Sequence, residues 1–446
     1  MGAPSLASLL GNGLVSCRSY VPPPMSLLRT LAATQLVLKK PRSPCFSRRL
    51  WSSRTGAVTC ETAKSDVIYT SPPPPVNGTD EEEVADWNTL IWCDGIFEFG
   101  AVHAALVCPQ PPPSATPEQM RIYKEVTDPV VLKSRASIKG KTVREAQKTF
   151  RITEPNQFVE AGSYLRIHVH PKRFPRCYEI DWRSRIIAVE DSYVVLDKPA
   201  GTSVGGTTDN IEESCATFSS RALGLEEPLK TTHQIDNCSE GCVVFAKTKE
   251  YCSIFHGKIR DKMVKKLYLA LAAAPVPVGI VTHYMRPVNM APRIVSEDFV
   301  KGWHLCQLEV MECKRVPWPN SIIEEKYNIE DCGWPKKDFA YECKINLLTG
   351  KTHQIRTQLA ALGAPLVGDS MYMPSAIAEM ANPGINPFGK LKTLYTNETD
   401  KAVAVEQWIA QHGKEPSVAI GLQACQISWD DDTHIYRAES PWWRYE

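Results

Sequence analysis

From residue 186 onward the apolar residues come in short bursts separated by charged, glycine- or proline-bearing breaks. SRIIAVEDSYVVLDKPAGTSV holds two such bursts and a Pro-Ala-Gly break, and reads as two short strands and a turn. A helix is expected over 209–224, then TTHQIDNCSEGCVVFAKTKE passes from loop to strand, and a second helix is expected over 247–263. KKLYLALAAAPVP reads as a strand stopped by prolines. GWHLCQLEVMECKRV and DFAYECKINLL are further strands, separated by what reads as an insertion at 313–339. KTHQIRTQLAALGA is a turn running into a helix. The order lacks a regular strand–helix–strand rhythm, so the pattern predicts an α+β domain over 186–446 with a mixed, mainly antiparallel sheet and surface helices.

Upstream the picture changes. SPPPPVNGTDEEEVADWN and CPQPPPSATPEQM are proline-rich and polar spacers, and the apolar run between them, TLIWCDGIFEFGAVHAALV, is expected to form a strand followed by a short helix. Residues 61–115 are read as a variable leader and linker, and 116–172 as a small helix-plus-strand unit with Lys133, Arg135, Lys139 and Lys141 on its surface. Residues 1–60 contain neither Asp nor Glu but many Arg, Lys and Ser, which is the composition of an organellar transit peptide for the chloroplast or, alternatively, the mitochondrion. The apolar runs there are too short to span a membrane.

Composition adds bounds. A chain of 446 residues, 43% hydrophobic, can bury at least one large core. Its formal net charge of +1 leaves any nucleic-acid contact to local basic patches. The 15 cysteines, without repeated metal-ligand spacing, suit core thiols in a reducing compartment. Neither the dinucleotide nor the phosphate-loop glycine spacing occurs, and no HExxH is present, so no organic cofactor and no metal is expected.

The stretch THQIDNCSEG, residues 232–241, places Asp236 between a loop and an apolar strand. An aspartate there can be a nucleophile, a base, an ion-pair partner or a turn residue. Arg356 lies in a partly apolar segment and, if buried, needs an anion, because an unpaired buried charge is costly. An Arg356–Asp236 pair would meet that need and orient the carboxylate.

These residues sit within motifs that resemble the RluA type of RNA pseudouridine synthase across 186–445. DKPAG at 197–201, HQIDNCSEG, KLYLA and TGKTHQIRTQLAALGAPLVGD follow the family's order, as does the late AIGLQACQISW. The resemblance implies Asp236 as the catalytic aspartate, Tyr268 as the active-site tyrosine that stacks on the uracil, and Arg356 as the aspartate's partner. It implies isomerisation of uridine within RNA, with the nucleotide flipped out of its stack. Ile235 and Leu269 would line a dry slot for the base. Two positions depart from the pattern: Gln234 stands where the family has arginine, and Ser239 and Glu240 replace Thr-Ser. Lys198, His233, Gln234, Lys247, Lys258, Arg260, Lys265 and Lys351 are the expected RNA contacts. The 116–172 unit resembles a degenerate alpha-L RNA-binding domain. The expected partner is ribosomal or transfer RNA of an organelle, with no membrane and no obligate protein partner. Two alternatives are an RNA-binding or ribosome-assembly protein with weak catalysis, and a glycosidic-bond hydrolase using Asp236 with a second acid, for which Glu240 is nearest in sequence.

Overall fold

The structure, a computed structural model, describes residues 96–111, 115–133, 135–154, 157–160, 163–288, 291–381 and 398–444. The expected transit peptide and most of the expected leader lie outside the described residues. The chain divides into two units, one running to Glu179 and including Gly206–Glu213, the other comprising Ile180–Gly205 and Ser214–Glu446.

In the first unit, β1 (Val102–Ala105) is the middle of a three-stranded antiparallel sheet between β2 (Phe150–Ile152) and β3 (Tyr164–Ile167). Alternation sends Val102, Ala104, Ile152, Leu165 and Ile167 into one small core. The segment read as leader therefore supplies the central strand, and the helical turn at 96–98 precedes the strand rather than following it. Its continuous apolar character is that of a strand paired on both edges. α1 (Pro117–Val126) begins with a Thr116–Gln119 capping box. Arg135, expected at the surface, instead pairs with Glu160 at 2.8 Å and donates to the Leu106 carbonyl, so it holds the unit together. Lys133, Lys139 and Lys141 are exposed.

The second unit is built on eleven strands: β4 (Ile186–Val189), β5 (Tyr193–Lys198), β6 (Lys230–Thr231), β7 (Glu240–Ala246), β8 (Val264–Ala272), β9 (Gly279–Met285), β10 (Val295–Ser296), β11 (His304–Pro317), β12 (Phe339–Leu347), β13 (Leu422–Trp429) and β14 (His434–Arg437). Their order is β10-β9-β11-β12-β8-β13-β7-β5-β4, with β14 on β13 and β6 on β7, and only the β13–β7 pair is parallel. The parallel contact needs Gly241. Its φ is +112°, and a Cβ there would sit 2.3 Å from the Ala424 carbonyl oxygen, which is backbone and cannot step aside.

The helices are α2 (Cys215–Ala222), α3 (Lys249–Arg260), α4 (Ser321–Lys326), α5 (Gln354–Ala361), α6 (Met373–Ala381) and α7 (Glu398–His412). The first of these starts six residues later than expected. Thr207, Asp209 and Asn210 bond one another in a turn that belongs to the first unit, and the Ser214 side chain caps the helix by accepting from Thr217 N–H. One face of the sheet, with Tyr268, Leu308, Val310 and Ile345, packs against Ile355 and Leu359 of α5. Full burial of such aliphatic side chains stabilises by roughly 1.5–3 kcal/mol each, enough to fix α5 over β8. Among the described residues no helix is long and apolar enough to cross a membrane.

Candidate active site

Asp236 lies in the loop between β6 and β7, and nearly every hydrogen bond of that loop is made to a neighbouring element. Thr232 Oγ1 donates to the Val244 carbonyl, and the Val244 N–H donates to His233 Nε2. Beneath the loop is Lys198, with 0% exposure. Its ammonium donates to three carbonyls, those of Pro199 (3.0 Å), Asn237 (3.1 Å) and Ser239 (2.7 Å), while Gly201 N–H donates to the Asn237 carbonyl as well. Burial pulls the Lys198 pKa down, and the thiols and carboxylates around it pull the other way. The DKPAG segment is thus the floor that shapes the Asp236 turn. Lys198→Met takes the ammonium from the Ser239 carbonyl, while the Asn237 and Pro199 carbonyls keep Gly201 N–H and Thr202 Oγ1, so the expected loss is about 1–3 kcal/mol of stability, measured by urea unfolding, together with loss of activity.

Arg356 comes from the first turn of α5 and has 0% exposure. Its Nη1 lies 3.4 Å from Asp236 Oδ2, which brings together two side chains expected to meet. Its principal partner is another residue. Asp369, also 0% exposed, takes the guanidinium as a fork, with Nε to Oδ2 at 2.8 Å and Nη2 to Oδ1 at 2.9 Å. The guanidinium also lies over the Tyr372 ring, 5.1 Å from its centroid. Asp369 holds the guanidinium, leaving Nη1 to face Asp236.

His353 precedes α5 in a left-handed conformation, φ 57°. Its Nδ1 is 3.0 Å from Tyr372 Oη, and that hydroxyl accepts from Arg293 N–H at 2.8 Å. Its Nε2 lies 4.0 Å from Asp236 Oδ1 and 3.9 Å from Glu415 Oε1. Burial first, and the Arg356 charge next, push the imidazole down to about 3, so it is neutral. Between about 3 and the unfolded value of ~6.5 the unfolded chain binds the extra proton, so this group makes stability fall as pH falls through that window, by up to about 1.4 kcal/mol per unit. His353→Gln is expected to flatten the loss between pH 7 and pH 5.5, which urea unfolding of both proteins at the two pH values measures as a difference.

Tyr268 on β8 is 7% exposed and packs with half-buried Ile235 in the same cluster. Burial, and then the Asp236 charge, raise its phenol well above the ordinary value. Leu269, expected beside it in a dry slot, points to the opposite face of the sheet because neighbours on a strand alternate. Glu240, the second acid considered from sequence, is occupied elsewhere. It accepts from Trp442 N–H at 3.3 Å, and burial followed by the Asp197 charge push it up to about 7. The carboxylate that does stand beside Asp236 is Glu415, in the stretch after α7.

The expected RNA contacts divide. Gln234, Arg260, Lys265 and Lys351 are exposed, and Lys247 is half-buried. Lys198 is corrected, since a fully buried ammonium bound to carbonyls cannot reach phosphate. His233 is corrected as well, its Nε2 being committed to Val244 N–H, with burial pushing the ring well below its ordinary value. Lys258 is paired with Asp430. The Gly-x-Ser-x-Gly spacing at Gly201–Gly205 carries no serine elbow: Ser203 is buried in a bridge to Ser214, and the helix begins only at Cys215.

Sequence reasoning missed Asp369 and Glu415. Asp369 had a signal, since a buried guanidinium has more donors than one carboxylate oxygen can satisfy and an aspartate closes the same motif. Glu415 had none, being far along the chain from Asn237, His353 and Arg356.

The class of enzyme follows from comparison with known families, whose members rearrange a nucleoside in RNA. The RNA pseudouridylate synthase family matches residues 192–361. A protein of Arabidopsis thaliana named RNA pseudouridine synthase 6, chloroplastic, is 74% identical over 352 residues, covering 78% of this chain and 75% of that one. A protein of the same name from Oryza sativa subsp. japonica is 58% identical over 469 residues, covering 100% and 98%. The ribosomal large subunit pseudouridine synthase C of Buchnera aphidicola is 29% identical over 189 residues, covering 42% and 53%. The chain belongs to the RNA pseudouridine synthase family.

Proposed function

We propose that this protein converts particular uridines of chloroplast RNA to pseudouridine, with Asp236 as the carboxylate that acts on the nucleoside. The observation that carries this reading is the Asp236–Arg356 contact at 3.4 Å between a loop and a helix distant in sequence, with the guanidinium held from behind by Asp369. A carboxylate so placed can add to carbon 6 of uracil, attack the anomeric carbon, or take the ribose 2-prime proton. Tyr268, kept as a neutral phenol by its burial, offers the base a flat partner rather than a negative charge. Flipping the nucleotide out of its stack costs a few kcal/mol and is cheapest in loops and mismatches. The arginine that the family resemblance places in this loop is replaced by exposed Gln234, which can donate hydrogen bonds but lacks the charge and the fork.

Phosphate contacts fall to exposed Arg260, Lys265 and Lys351, with Lys247 beside them. The substrate is ribosomal or transfer RNA of the organelle, and the likeness to a ribosomal large subunit enzyme favours the former. For the small unit we propose RNA contact through Lys133, Lys139 and Lys141. The test is to incubate the protein with RNA from a plant line lacking it and map pseudouridine. Sites absent from that RNA and restored by the protein support the reading, and restoration of none refutes it.

A further inference from the structure

Glu415 reaches the same two nitrogens as Asp236. Its Oε1 lies 3.9 Å from Arg356 Nη1 and 3.9 Å from His353 Nε2, and its Oε2 accepts from Asn237 Nδ2 at 3.1 Å, the residue that follows Asp236. Its side chain is 19% exposed, against 16% for Asp236. Arg356 is already matched by the Asp369 fork, so the guanidinium does not call for two further carboxylates to satisfy its charge. Two carboxylates around one neutral imidazole and one neutralised guanidinium are an arrangement suited to handling protons.

The isomerisation contains a proton transfer that Asp236 is not required to make. Once the detached uracil has rejoined the ribose through carbon 5, that carbon still carries its hydrogen, and the ring has a C6=N1 double bond. Loss of the proton sends the C5–H electron pair into a C5=C6 double bond and the C6=N1 pair onto N1, which takes up a proton from water. The other groups around Asp236 are poor acceptors: Tyr268 and Cys238 are held in their protonated forms by burial, and the His353 imidazole binds a proton only near pH 3. We propose that Glu415 is the base that receives the proton from carbon 5 and passes it to solvent. The proposal rests on the assignment of Asp236 to the same nucleotide.

The test uses RNA from a plant line lacking the protein, grown with uracil carrying either hydrogen or deuterium at carbon 5. The full chain is assayed as wild type, Glu415→Gln, Glu415→Asp and Asp236→Asn, following the rate at which pseudouridine appears. Removing a general base slows its step by about 10²- to 10⁴-fold. Glu415→Gln is therefore expected to slow conversion within that range and to show a larger carbon-5 deuterium isotope effect than wild type, because deprotonation has become limiting. Glu415→Asp is expected to recover part of both. A slow Glu415→Gln protein with the wild-type isotope effect would show that the residue only shapes the loop through Asn237, and a wild-type rate would remove it from the reaction altogether; either outcome overturns the proposal. Activity in Asp236→Asn would overturn the underlying assignment, whatever Glu415→Gln does.

Discussion

Asp236→Asn is expected to abolish pseudouridine formation while leaving the protein folded and able to bind RNA. The amide has nearly the shape of the carboxylate and keeps an oxygen toward Arg356 Nη1, so the loop's bonds to Lys198, Gly201 and Val244 are untouched. What it lacks is a nucleophilic or basic oxygen. Loss of the central reacting group in an enzyme costs about 10⁴-fold or more, which places the variant below detection in an ordinary time course. Thermal unfolding is expected to shift little, because the Asp236 side chain is at the rim of the site and Arg356 keeps its fork with Asp369. RNA affinity is expected to hold or rise slightly, since one negative charge has left a site that meets phosphate. Mapping of modified sites, a melting curve and a binding titration on the same preparation separate these effects. Conversion at the wild-type rate would remove Asp236 from the chemistry.

The second large effect belongs to Asp369→Ala. Arg356 would then be a buried cation whose remaining carboxylate contacts are 3.4 Å or longer among those described, and breaking one side of a buried pair costs about 3–5 kcal/mol. Much of that loss is the penalty for the stranded charge rather than the worth of the bond. The double variant Asp369→Leu/Arg356→Met removes both charges and is expected to recover most of the stability yet to stay inactive, because no guanidinium faces Asp236. Urea unfolding of Asp369→Leu, Arg356→Met and the double variant measures the coupling, and pseudouridine mapping reads the activity. A double variant as unstable as Asp369→Ala would show that the site depends on the shape of the fork rather than on charge balance.

Binding of RNA adds a graded expectation. If Arg260, Lys265 and Lys351 each meet phosphate, log affinity falls linearly with log salt, and changing any one of them to Gln lowers the slope by about 1. The same change at Lys258, already paired with Asp430, is expected to leave the slope unaltered. Basic residues alike in sequence thus differ in what they can do, because some of their charges are engaged within the fold.

Much of the catalytic unit was legible in the chain itself. Apolar bursts ended by prolines or polar breaks located β8, β11 and β12, a helix was expected where α3 lies, a turn running into an apolar segment located α5, and ordered motifs marked Asp236, Tyr268 and Arg356. These are local properties, and local sequence carries them. Which side chains are buried, and against what, was decided only in three dimensions. Lys198 looked like a phosphate contact until three carbonyls closed around it. Arg356 was matched to Asp236, but burial demanded a fuller partner, which Asp369 supplies. The apolar run before residue 108 became a central strand because β2 and β3 pair with it on both edges. Glu415 entered the site only through folding, which brings the stretch after α7 against the Asp236 loop. A charged side chain's role depends on the water it loses and the partner it gains, and both are properties of packing between distant segments rather than of spacing along the chain.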